Sequence, residues 1–151
     1  MSTSLPAFEP RDAGFERRVR ASFAQQGLMQ TFRAELDSVR PGAVDIAVPF
    51  ARQLTQQDGF LHAGVLIAAM DSACGYAALT LMPPGRRVLS VELKANLLTP
   101  AIGECLTARG EVLRPGRTLT VCRGDAYAVS GAQTKHVATV LATMISVPDD
   151  G

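Results

Sequence analysis

Residues 59–79, GFLHAGVLIAAMDSACGYAAL, are the most apolar stretch of the chain and carry one carboxylate, Asp71, at their middle. An ionised carboxylate left dry and unpaired costs several kcal/mol. Aspartate is also a poor mid-helix residue, because its side chain competes for backbone hydrogen bonds. Arg86 and Arg87, the nearest cations, lie beyond the apolar run and are no i, i+4 neighbours of Asp71. Asp71 is therefore either a structural group with distant polar partners or the wall of a wet cleft. In a cleft it has two chemical uses. It can take a proton from water as a general base, or attack a carbonyl as a nucleophile.

His62-Ala63-Gly64 stands where the apolar run begins. The first turn of a helix has free N–H groups at the positive end of the dipole. Such a turn can hold a carbonyl oxygen that gains negative charge in a transition state. Gly64 allows close backbone approach. The plain alternative is a helix start with a small packing contact, with His62 as a hydrogen-bonded structural residue. Cys74, one turn from Asp71, has no histidine near it in sequence to activate it and reads as core.

The elements that must position these groups follow from periodicity. Residues 12–30 read as an amphipathic helix, with Phe15, Val19 and Phe23 on one face and Gly27 weakening its end. Phe32, Ala34 and Leu36 alternate with charged residues, as do Val44, Ile46 and Val48 with a partly polar set; Pro41-Gly42 turns between them, which predicts a hairpin. Residues 51–60 read as a loop. The apolar helix runs from about 63 to 81 and ends at Pro83-Pro84-Gly85. Leu89, Val91, Leu93, Ala95 and Leu97 alternate with Ser90, Glu92, Lys94 and Asn96, predicting a strand closed by Pro100. Three more strands are predicted: 104–113, one starting at Leu119 and Val121 with Gly124 marking a bulge, and 137–147. Runs of strands around one apolar helix predict an α+β fold with an antiparallel sheet.

Size and composition set the frame. With 151 residues the chain is expected to be one domain, 1–151, with 1–11 a flexible N-terminal segment. A formal net charge of +1 argues against a nucleic-acid surface. Residues 63–82 approach membrane-spanning length, but a mid-bilayer charge at Asp71 costs at least ~2.5 kcal/mol, so no membrane span is expected. Cys74, Cys105 and Cys122 are odd in number and form no C-x-x-C pair, and with His62 and His136 alone a zinc site is not expected. Reduced thiols and an N-terminus without a signal-peptide core predict a cytoplasmic protein.

The run Q-x5-H-A-G-x6-D-S-A, starting at Gln56, is followed by S-V-E-L-K-x-N-L-L-x-P-A, starting at Ser90. Together they resemble the hotdog-fold acyl-CoA thioesterases of the phenylacetate-degradation type, and the resemblance extends from about Ser22 (SFAQQGLM) to Val147. It implies a hotdog fold: an antiparallel sheet wrapped around a long central helix, with an N-terminal helix. It also implies a homodimer with two sites at its interface, assembling to a homotetramer. Asp71 stands at the catalytic acid of that family. Gln56 stands at a residue that contacts the thioester or the attacking water. His62, Ala63 and Gly64 match a His-Gly-Gly motif whose backbone N–H polarises the thioester carbonyl. Ser90 matches a hydroxyl that positions the water or the acid. Ala63 departs from the usual glycine; it keeps the N–H, while its methyl narrows the pocket.

The implied substrate is an acyl-CoA, aryl or medium to long chain, and no cofactor beyond the substrate's own coenzyme A is expected. Val88, Leu89, Arg114, Gly116 and Arg117 are assigned to coenzyme A contact. The turn RPGR at 114–117 is the favoured phosphate site, and Arg86, Arg87 and Lys94 are further candidates. Leu66, Met70 and Met82 are either acyl-tunnel lining or core. Two rival functions fit the same fold: a non-catalytic acyl-CoA-binding protein, and an acyl-thioester hydratase or dehydratase, although no matching Asp-to-His spacing is present.

Overall fold

The computed structural model describes residues 7–150. In chain order it has helices α1 (Phe15–Ala24) and α2 (Gly27–Thr31), strands β1 (Glu35–Arg40) and β2 (Ala43–Pro49), and a 3-10 turn at Arg52–Leu54. Then come the central helix α3 (Ala63–Leu79) and strands β3 (Arg86–Leu97), β4 (Cys105–Arg114), β5 (Leu119–Ser130) and β6 (Gln133–Pro148). The strands form one sheet in the order β1-β2-β4-β5-β6-β3, with every neighbouring pair antiparallel. Helix α3 packs against β2 through β6. This is the expected α+β architecture of a sheet wrapped around a long helix.

The apolar helix can lie this close because two glycines clear its path. Gly110 on β4 and Gly124 on β5 are directly paired. A Cβ on Gly110 would run into the main chain of Ala73 and Cys74. A Cβ on Gly124 would come within 2.7 Å of Val140 Cγ2 and 3.0 Å of Cys74 Sγ. The helix answers with small residues: Ala69, Ala73, Cys74 and Ala77 are fully buried. The bulge expected at Gly124 is therefore corrected. Pairing is regular through Gly124, and β5 slips against β6 at Ala126–Tyr127 instead. Gly124 is there for helix clearance.

The N-terminal helix is also corrected, because it breaks in two. Gln26 is extended (φ −80°, ψ 101°), and Gly27, a poor helix former, starts α2. The strand expected from Phe32 begins at Glu35. Residues 32–34 are used to close α2: Arg33 adopts φ 53°, its N–H donates to the Gln30 carbonyl at 2.9 Å, and the Ala34 N–H donates to the Met29 carbonyl at 2.9 Å. That pair of bonds is a Schellman cap, which satisfies carbonyls the helix leaves free. Helix α3 ends at Leu79 rather than 81. The Arg18 guanidinium donates to the carbonyls of Leu79, Met82 and Pro83 at 2.9, 2.7 and 2.8 Å, a favourable cation at the helix C-terminus.

Of the segment expected to be flexible, residues 1–6 lie outside the described residues. In the remainder, Phe8 packs over Gly42, which takes φ 77° in the β1–β2 turn. Among the described residues no helix is long and apolar enough to cross a membrane.

Strand β3 departs from simple alternation. Ser90 pairs with Met144 and Glu92 with Thr143, so Val91 is an extra residue, a bulge. A one-residue insertion switches faces. The sequence pattern puts Ser90 on the face opposite Leu93 and Ala95. The bulge instead brings Val88 and Ser90 to the helix side with Leu93 and Ala95, while Leu89 and Val91 stay 51% and 54% exposed. Strand β3 is also an edge of the sheet.

Candidate active site

Asp71 is half-buried on α3, on the side away from the glycine floor, in line with Gly64, Ala68 and Gly75. Ser90 Oγ donates to Asp71 Oδ1 at 2.7 Å. The same hydroxyl lies 3.5 Å from Met144 Sδ. Among the described residues no cation forms an ion pair with Asp71. The acid instead lines a cavity of about 270 Å³ with Gln26, Ser72, Gly75, Tyr76, Val88, Leu89 and Ser90. Of the two readings open from sequence, the wall of a cleft is the one the geometry supports.

The start of α3 is built by His62. Its Nδ1 accepts the Gly64 N–H at 2.8 Å, and its carbonyl accepts the Val65 N–H at 2.9 Å. His62 is thus a cap, and Gly64 has no N–H to offer a ligand. Ala63 is the first residue of the helix, and its N–H has no acceptor among the described residues. The donor expected from the His-Ala-Gly motif narrows to Ala63.

Gln56 closes a tight turn over 56–60. Its N–H donates to the Phe60 carbonyl at 2.8 Å, and its Oε1 accepts the N–H groups of Asp58 and Phe60. Gln56 and Ala63 line a second, mainly apolar cavity of about 390 Å³ with Phe60, Leu61, Leu66 and residues 97–101. So a single chain does not bring the predicted site together. Asp71 and Ser90 share one cavity; Gln56 and Ala63 share another. Ala63 and Asp71 stand eight positions apart on the helix, about 12 Å along its axis.

The residues assigned to coenzyme A also divide. Val88 and Leu89 line the Asp71 cavity, as do Arg86 and Arg87. Gly116 and Arg117 instead line a small cavity of about 110 Å³ beside Phe8, Arg11 and Met82. Arg114 ends β4, before the same turn. The space a Cβ would need at Gly116 is occupied by the Leu119 carbonyl, so the turn itself requires this glycine. Within one chain the structure does not bring 114–117 to Asp71. Lys94 Nζ donates to Asn96 Oδ1 at 2.7 Å. Met70 is fully buried core.

Sequence reasoning missed the polar wall beside Asp71. Ser72 Oγ donates to Gln26 Oε1 at 2.9 Å, and Gln26 Nε2 donates to the Tyr76 phenol oxygen at 3.3 Å. Ser22 Oγ lies 3.4 Å from that phenol oxygen. The available signal was Ser72 and Tyr76, an i, i+4 pair of hydrogen-bonding side chains in an otherwise apolar helix.

The cysteines offer no nucleophile. All three are free thiols, and Cys74 and Cys122 are fully buried. Burial pushes the Cys74 thiol well up and the Cys122 thiol up to about 12, so neither supplies thiolate at neutral pH. Among the described residues no cluster of three or more His, Cys, Asp or Glu is placed to hold a metal ion.

Comparison with known proteins places the fold in a family. The thioesterase superfamily model matches residues 58–135, more than half of the chain. An esterase-named protein of Saccharolobus solfataricus is 34% identical over 84 residues, which are 56% of this chain and 59% of that protein. The crystal structure of a thioesterase family protein from Silicibacter pomeroyi superposes with a TM-score of 0.88 at 47% identity, covering 89% of this chain and 99% of that one. The PaaI protein of the E. coli phenylacetic acid degradation operon shares the fold, with a TM-score of 0.79 at 18% identity over 91% of this chain and 96% of that one. The chain therefore belongs to the thioesterase superfamily and has its hotdog fold.

Proposed function

We propose that this protein hydrolyses acyl-CoA thioesters in a site assembled between two copies of the chain. The observation that carries the reading is the Ser90–Asp71 pair: a carboxylate with no ion-pair partner among the described residues, open to a cavity, with one oxygen already held. Ser90 occupies Oδ1 and leaves Oδ2 for chemistry. In the general-base route, Oδ2 takes a proton from water as the water oxygen attacks the thioester carbon. The carbonyl oxygen becomes an oxyanion and is held by the Ala63 N–H of the second copy. Collapse breaks the C–S bond, and the leaving thiolate recovers the proton from Asp71. In the nucleophilic route Oδ2 attacks the same carbon, expels the thiolate and forms a mixed anhydride that water then opens. Both routes need the same two groups, an acid and an N–H, which a single chain keeps apart.

Strand β3 supplies the reason two copies would join them. Its residues 88–90 line the Asp71 cavity, and the segment from Leu97 lines the Gln56–Ala63 cavity. Its edge is unpaired in one chain and carries exposed Leu89 and Val91. Such an edge is a template for another strand. Antiparallel pairing of two β3 edges about a two-fold axis near Leu93 would set one chain's residues 88–90 opposite the other's Leu97. Each Asp71 cavity then faces the second copy's Ala63 and Gln56. The outer sheet face, with exposed Leu119 and Leu141, offers a second surface for a tetramer. A cytoplasmic location fits the three free thiols. The use of His62 as a helix cap weighs against a hydratase that would need a histidine beside the acid.

The test has two stages. Release of free thiol from a panel of acyl-CoA thioesters separates an enzyme from a binding protein. Then Ala63→Pro deletes the candidate N–H, at the helix position where proline is best tolerated. Loss of one oxyanion donor costs about 10²–10³ in turnover. Asp71→Asn and Ala63→Pro chains, each nearly inactive, are then unfolded and refolded together. Half of the dimers become mixed, each with one intact site of two, so activity returns to about a quarter of wild type. No recovery in dimers shown to be mixed removes the shared site.

A further inference from the structure

Strand β3 is an edge of the sheet, and its middle carries two opposite charges, Glu92 and Lys94. Leu93 and Ala95 pack against the core, so Glu92, Lys94 and Asn96 stand on the outer face. Glu92 and Lys94 are both exposed. Among the described residues neither belongs to an ion pair, and they do not pair with each other. Each keeps spare bonding capacity. Thr143 Oγ1 donates to Glu92 Oε1 at 2.8 Å, which leaves Oε2. Lys94 Nζ gives one of its protons to Asn96 Oδ1 at 2.7 Å and keeps the others.

Symmetry gives these two charges a use. Directly opposed residues of an antiparallel pair share a face of the sheet. Neighbours in one strand do not, so a two-fold axis perpendicular to two paired β3 edges passes through a residue, never between two. An axis through Glu92 sets that glutamate against its own copy, and an axis through Lys94 does the same for the lysine. Like charges directly opposed are destabilising. An axis through Leu93 sets each Glu92 opposite the second copy's Lys94, at two places in the dimer, and brings the two Leu93 side chains together on the inner face. Moving the axis by one residue slides the second copy by two, about 7 Å along the strand. That slide is more than twice a hydrogen-bond length, so the Ala63 N–H of one copy and the Asp71 of the other could no longer serve one carbonyl.

We propose that Glu92 and Lys94 are positioning residues that lock two copies of this chain in the register centred on Leu93, and so align the two halves of the site. This lock rests on the β3 pairing of the proposed hydrolase and adds the side chains that fix it. Edge lysines have a plainer use, which is to keep foreign strands off an open edge. A lysine alone serves that purpose; it does not call for an unpaired glutamate beside it on the same face. One cross-strand charge pair is a weak interaction, but reversing one charge turns attraction into repulsion at both places related by the axis.

The experiment reads partner choice. Glu92→Lys makes the seam of each chain wholly positive, and Lys94→Glu makes it wholly negative. Each variant is expected to bind its own copy about 10–100-fold more weakly than wild type does. Together they restore both unlike pairs. Refolded from an equimolar mixture, they are expected to form mixed dimers in about nine cases of ten rather than the statistical half. Ion exchange resolves the three dimers, which differ in net charge. The doubly reversed chain, Glu92→Lys with Lys94→Glu, is expected to pair with itself as wild type does and to mix with tagged wild type in clearly fewer than about half of the dimers. A statistical mixture in either experiment overturns the lock, and so does a wild type that stays monomeric. Should one single reversal fail to fold, the doubly reversed chain against wild type still reads the register. Non-statistical pairing without thiol release from any acyl-CoA would keep the lock and bring down the hydrolase reading instead.

Discussion

The two sides of α3 are built by opposite rules. The side holding Met70, Ala73 and Cys74 presses on Gly110 and Gly124 with no space for one added carbon. The side holding Asp71 and Gly75 faces a cavity, and an added carbon at Gly75 meets a single methyl at van der Waals distance. Glycine therefore means two things in one small protein. Under the helix it is a clearance that close packing requires. On the helix it is vacant space beside an acid. The same contrast separates the polar groups. Thr80 and Glu111, on the packed parts, are buried and hydrogen-bonded, whereas Asp71 has one oxygen held and one free.

Substitutions can break this comparison from either side. Asp71→Asn is expected to lower turnover by about 10²–10⁴ while the melting temperature holds. Near-normal turnover in the folded variant would falsify Asp71 as the reacting acid. Gly110→Val acts on the other side. It pushes side-chain atoms into the main chain of α3, which cannot rotate away, and urea titration should show a loss of about 3 kcal/mol or more. Ser90→Ala leaves the acid in place but frees its held oxygen. A hydrogen bond to a charged group is worth ~1.5–3 kcal/mol, so turnover should fall about tenfold or more, yet less than for Asp71→Asn. Gly75→Ala has the smallest effect and an opposite sign in stability. Glycine inside a helix costs about 0.5–1 kcal/mol relative to alanine, so the variant should melt later. Its methyl intrudes on the cavity, so kcat/KM should drop for the bulkier acyl groups. A later melt with unchanged kcat/KM for every thioester would mean that the space at Gly75 is not used by substrate.

Much of this was legible in the chain. The length and apolarity of residues 59–79, punctuated by Pro83-Pro84-Gly85, identify the central helix, because a helix apolar all round must be enclosed. The hairpin at Pro41-Gly42 follows from local turn chemistry. The boundaries that failed have a common cause. Residues 32–34 alternate like a strand, but the carbonyls at the end of α2 need partners and take them there. Gly124 looks like a bulge by composition. Its partner in space is Cys74, fifty residues earlier, which no local pattern reveals.

Residue types alone fixed which groups are chemically able: one acid, Asp71, in an apolar helix, and a helix start at His62-Ala63-Gly64. These follow from hydropathy and from the free N–H groups of any first turn. Tertiary structure decided which of them can act, and where. The Val91 bulge turned Ser90 toward Asp71, His62 consumed the Gly64 amide and left that of Ala63, and the helix axis held acid and amide in separate cavities. Each outcome depends on atoms brought together from distant parts of the chain, so no sequence period encodes it.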